Sequence, residues 1–116
     1  MTINKKIKPK MEFPDDEDGF ALKEMYERGV DFSKPYSIDF FVVVPDGEKG
    51  EKVKELAEQE GFECFVDRDD EFDEWICYCT KSMMLDYKEL NDVQKFLSEL
   101  SRPCGGFADG WGTFGD

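Results

Sequence analysis

The nine residues from Tyr36 to Val44 limit the fold more than any other stretch, because β-branched and aromatic side chains fill it and both of its alternating faces are apolar. Ile38, Phe40 and Val42 point one way along this strand, and Phe41 and Val43 the other. Pro45-Asp46-Gly47 ends it. A sheet with one solvated face alternates hydrophobic and polar residues, so a chain carrying this strand has to cover both faces of its sheet. The doubled pattern returns downstream, where Cys64, Val66, Cys77 and Cys79 extend the first set and Phe65, Ile76 and Tyr78 the second.

The remaining elements follow from periodicity and punctuation. Helical spacing starts near Asp16, takes in Phe20, Leu22, Met25 and Tyr26, and stops at Gly29. A second helix is expected from about Glu48 to Glu60, with Val53, Leu56 and Ala57 on its apolar stripe and Gly61 at its exit. Strands from Phe62 to Asp67 and from Trp75 to Lys81 flank an acidic loop, Arg68 to Glu74, short enough to predict an antiparallel hairpin. Asp86 and Glu89 make a capping-box-like start to a third helix, in which Leu90, Val93, Leu97 and Leu100 recur at spacings of three and four until Pro103. Gly105 to Phe114 supplies a last strand with an Asp109-Gly110 irregularity inside it. The fold class expected is α+β, a ferredoxin-like βαββαβ sandwich with an additional N-terminal helix. Two helices then cover one sheet face, and the other falls to the N-terminal helix, through Phe20, Met25 and Tyr26, or to a partner.

At 116 residues the chain is long enough for one core and too short for two. The division expected is a flexible basic leader over residues 1–14 and a single domain over 15–116. Lys+Arg 15 against Asp+Glu 28 gives a net charge of −13, and Lys5, Lys6, Lys8 and Lys10 hold +4 of it, which leaves −17 on the rest. Such a surface repels phosphates, so nucleic acid is excluded as a direct partner, including the single-stranded RNA that aromatic-lined βαββαβ sheets elsewhere bind. A basic protein is the partner expected, in a salt-sensitive complex whose oligomeric state is left open. The basic start precedes no apolar run and no segment reads as a membrane span, which places the chain in the cytoplasm.

In that compartment Cys64, Cys77, Cys79 and Cys104 are expected as reduced packing residues. With 0 histidines, zinc would need all four thiolates at an unfavourable spacing, so neither metal nor cofactor is expected. No enzyme is expected either. The chain has no histidine base, no phosphate-cradling glycine loop and no cysteine beside an obvious activating group.

The acidic loop contains Asp67, Asp69, Asp70, Glu71, Asp73 and Glu74, and it fails the calcium-loop pattern because Phe72 stands where glycine is needed. It is expected to be a solvated, mutually repelling tip. Its candidate partner-binding residues are Asp69, Asp70, Glu71 and Asp73, with Phe72 as an apolar anchor among the carboxylates. Asp109 and Trp111 join them from the closing segment Asp109-Gly110-Trp111-Gly112-Thr113, which sets a large aromatic between two glycines.

That closing segment resembles the RraB family, the protein regulators of ribonuclease E activity. The likeness extends over about residues 15 to 114 and includes Phe32-Ser33-Lys34-Pro35-Tyr36-Ser37-Ile38, Glu60-Gly61-Phe62-Glu63 and Trp75-Ile76-Cys77-Tyr78-Cys79. It implies a non-catalytic protein that binds ribonuclease E and inhibits its RNA processing by protein contact. A small acidic adaptor or immunity-type protein with an unrelated target is the alternative.

Overall fold

The computed structural model describes residues 13–113, so most of the expected leader and Phe114 lie outside the described residues. These residues fall into two compact units that divide after Asp31. The first is built on helix α1, Glu17–Glu27. Asp16 caps it, its side chain accepting a hydrogen bond from the Gly19 amide at 2.8 Å. The rings of Phe13 and Tyr26 lie 5.8 Å apart within this unit, and of the expected apolar stripe Leu22 and Met25 are buried while Phe20 is 58% exposed.

The second unit runs strand β1 (Tyr36–Val44), helix α2 (Gly47–Glu58), strands β2 (Glu63–Asp69) and β3 (Glu74–Met83), helix α3 (Tyr87–Ser101) and strand β4 (Phe107–Thr113). The described residues are therefore α+β, three helices with a four-stranded antiparallel sheet. Sheet order is β2-β3-β1-β4. Helix α2 joins β1 to β2 with β3 lying between them, and α3 joins β3 to β4 with β1 between them.

Turn residues set these boundaries. Asp46 both ends β1 and caps α2, accepting from the Lys49 amide at 2.8 Å, which starts the helix at Gly47 instead of Glu48. Gly61, at φ 96°, carries the chain out of α2, and the Phe62 amide reaches back to the Ala57 carbonyl at 3.2 Å. Asp86 accepts from the Glu89 amide at 3.0 Å to start α3. That helix tightens into one 3₁₀ turn, Arg102–Cys104, as Pro103 enters.

Helices α2 and α3 lie on one face of the sheet. Val53, Ala57, Leu90 and Leu97 are fully buried there with Ile38, Phe40, Val42, Cys77 and Cys79. The first apolar set of the sequence is thus the core. Val93 and Leu100, expected on the same stripe of α3, are half-buried at its margins.

The hairpin is longer than expected. Strands β2 and β3 pair from Glu63↔Thr80 to Asp69↔Glu74, so only residues 70–73 form the turn. Repulsion does not end the ladder, because Arg68 lies inside it. Its guanidinium donates to Asp70 at 2.6 Å and also to Asp73. Asp69 Oδ1 accepts from the Glu71 amide at 2.9 Å, and Asp73 takes φ 55°, a conformation aspartate tolerates.

Candidate functional site

The second apolar set occupies the sheet face opposite α2 and α3. Register assembles it in rows, since directly paired residues share a face. One row is Phe65↔Tyr78↔Phe41 and the next is Asp67↔Ile76↔Val43↔Phe107. In the first row Phe65 stacks on Tyr78 with centroids 4.6 Å apart, and Tyr78 meets Phe41 edge-on at 5.6 Å. Phe65 is 53% and Phe107 52% exposed, while Phe41, Val43, Ile76 and Tyr78 are half-buried.

A shallow groove runs over this face. It is lined by Phe41, Val43, Ile76 and Tyr78, by Phe72 from the hairpin turn, and by Asp69, Glu74 and Asp109 at its rim. Phe72 is 67% exposed and its amide leans on Asp69 Oδ1 at 3.4 Å. The acidic field reaches the aromatic row. Burial first, and then the charges of Asp67, Asp69 and Asp39, push the Tyr78 hydroxyl above its ordinary pKa. Asp39, on the same face, accepts a 2.6 Å hydrogen bond from the Thr80 hydroxyl.

Of the residues selected from sequence, Asp69, Phe72 and Asp109 share the groove. Asp70, Glu71 and Asp73 sit in the turn beyond it, with Asp70 and Asp73 held by Arg68. Trp111 is elsewhere. It pairs with Phe40, hence lies on the helix-covered face, and it is half-buried. Sequence reasoning passed over Glu74 and Phe107. Phe107 belongs to the face opposite α2 and α3 only because β4 carries a bulge: Phe40 pairs with Trp111 but Val42 with Ala108, so Asp109 and Gly110 together oppose Phe41. An extra residue inverts the alternation, which hides Phe107 from a period-two count.

A family model matches residues 15–113, spanning α1 to the end of β4, and is described as regulator of ribonuclease activity B. The chain belongs to the RraB family. No curated protein matches it. The RraB match includes Asp109-Gly110-Trp111-Gly112-Thr113, the segment that forms the bulged edge strand. No helix among the described residues of this RraB-family chain is long and apolar enough to cross a membrane.

A second cluster lies on the helix-covered face. Cys64 pairs with Cys79 across the hairpin and Val66 with Cys77, so one face gathers Cys64, Cys77 and Cys79, with all three sulfurs within 4.8 Å of one another. Cys77 and Cys79 are buried, their sulfurs 3.8 Å apart, and Cys64 is half-exposed. Hydrogen bonds from Cys77 and then Cys79 pull the Cys64 thiol down to about 4, against the effect of burial, while Cys64 chiefly pushes Cys77 up to about 12 and raises Cys79 as well. Cys104 is buried outside this group. The trio escapes sequence reasoning because it depends on hairpin register, and because four ligands were required there where three converge.

Proposed function

We propose that this RraB-family chain regulates a ribonuclease by binding it, seating the open sheet face on an apolar patch ringed by basic side chains and leaving RNA untouched. One observation carries this: an aromatic groove of Phe41, Tyr78 and Phe72 edged by Asp69, Glu74 and Asp109, on a chain of net charge −13. Exposed apolar faces rimmed by charge mark protein interaction sites. Central aromatics supply affinity by slowing dissociation, and the acidic rim supplies orientation and faster association.

The target we favour is a ribonuclease E-like enzyme, and the effect inhibition. Carboxylates at the rim repel phosphate, so RNA does not compete for the groove. The partner-binding residues are Phe72, Asp69 and Asp109 in the groove and Asp70, Glu71 and Asp73 in the turn. Trp111 supports the surface by fixing β4 against β1. We name the architecture a ferredoxin-like sandwich, since each of its two β-α-β units is split by a strand of the other.

The test is inhibition of purified ribonuclease E across a salt series by wild-type protein, a Phe72→Ala/Tyr78→Ala double variant, and a variant with Asp69, Asp70, Glu71 and Asp73 replaced by amides. The aromatic variant should lose affinity at every salt concentration, by roughly 30-fold for about 2 kcal/mol at a single hot spot. The amide variant should lose mainly association rate at low salt, because exposed charges are screened beyond about 8 Å at physiological ionic strength. Equal inhibition by all three proteins would refute this mode of binding.

A further inference from the structure

The binding surface makes no use of the thiol trio, which lies on the other side of the sheet. Ordinary packing accounts for buried cysteines singly, and a disulfide accounts for two. Here three sulfurs from two strands converge, with every pair within 4.8 Å.

We propose that Cys64, Cys77 and Cys79 form a three-sulfur site for one soft metal cation, Cu(I) or Zn(II). Metal–sulfur bonds of about 2.3 Å place sulfurs about 3.8 Å apart around a tetrahedral ion and about 4.0 Å apart around a trigonal one. Cys77 and Cys79 already stand 3.8 Å apart. Cys64 closes the remaining distance by a small side-chain movement, which its place on the outer strand β2 permits. Thiolate donors select Cu(I) and Zn(II) over harder ions. Among the described residues no fourth Cys, Asp or Glu joins the group, and the chain has 0 histidines. Cu(I) is complete with three sulfurs. Zn(II) takes a water as fourth ligand on the side where Cys64 reaches the surface.

The sulfurs bind as thiolates, so their protons pass to solvent, and the ion enters and stays in one oxidation state with no electron transferred.

The experiment uses the full chain, reduced and handled without oxygen, and titrated with Cu(I) or Zn(II) against a coloured chelator of each ion. One equivalent of either metal should be retained. X-ray absorption then separates the two arms, showing three sulfur neighbours for copper and three sulfurs with one oxygen for zinc. Cys64→Ser, at a half-exposed position, should cost more than the 10–100-fold that loss of an outer-shell partner costs, while Cys104→Ser should bind as wild type. A maleimide that labels Cys64 in the apo wild-type protein should be blocked by the metal, a readout that needs no variant to fold. The site is refuted if neither ion is retained, if Cys64→Ser binds as well as wild type, or if bound metal leaves Cys64 open to the maleimide.

Discussion

Phe65 on the outer strand lies nearly flat against Tyr78, with an interplanar angle of 15°, and yet is 53% exposed. A ring held in one orientation and left in water has already lost the rotamer freedom that binding would otherwise cost. Phe65→Ser should therefore lower stability only by about the 0.5–1.5 kcal/mol of one aromatic pair, while weakening the ribonuclease complex. Calorimetric unfolding and a binding titration on the same sample check both halves. A large drop in melting temperature would assign Phe65 to stability.

Phe40 and Trp111 are paired across β1 and β4, but their burial differs: Phe40 is 0% exposed and Trp111 half-buried on an edge strand. Phe40→Ala should cost about 3–5 kcal/mol, the range for a buried large aromatic. Trp111→Ala should cost measurably less. Urea unfolding of the two variants compares them, and equal losses would mean that Trp111 is a full core residue.

The raised pKa of Tyr78 gives stability a direction with pH. Its folded value lies above that of an exposed tyrosine, about 10, so the folded chain holds that proton longer than the unfolded one. The contribution is complete below about pH 10 and is lost as pH climbs through the folded value. Tyr78→Phe should flatten this alkaline loss of stability, and Asp67→Asn with Asp69→Asn should shift it part of the way down, since burial is the larger cause. Tyrosinate absorbance, taken as a wild-type minus Tyr78→Phe difference, follows the ionisation directly.

Gly110 sits at φ 106° inside the bulge of β4. A β-branched residue there is strained by about 1–3 kcal/mol, although the space around its side-chain position is open. Gly110→Val should destabilise by that amount, and the exposure of Phe107 should change if the strand shifts register to relieve it. Hydrogen exchange at Phe107 to Thr113 separates strain borne in place from slippage. Unchanged stability would mean that the bulge is soft.

How much of the molecule could be read in the residues depends on how local the determining contacts are. Tyr36–Val44 is legible residue for residue, because its composition and the Pro-Asp-Gly stop act within the segment. Asp86 announces α3 for the same reason. The hairpin is underestimated at its tip by Arg68, Asp69 and Glu74, because the pairing of Arg68 with Asp70 and Asp73 exists only once the strands are side by side. The floor of the groove is visible as the second apolar set, through Phe41, Val43, Ile76 and Tyr78, and its border through Asp69, Phe72 and Asp109, although not that these meet in one place. Glu74, Phe107 and the meeting of Cys64 with Cys79 depend on register and on the bulge, which no count along the chain contains.

The two border strands bear on whether sheets of neighbouring copies can join edge to edge. On one side β2 sets Glu63, Asp67 and Asp69 along its length, and on the other β4 is broken by two residues opposing one. Charge and a kink are the means by which natural sheets stop neighbours from zipping onto them. Ladder-to-ladder growth into fibrils is thereby obstructed at both margins, where backbone amides would otherwise template a companion strand.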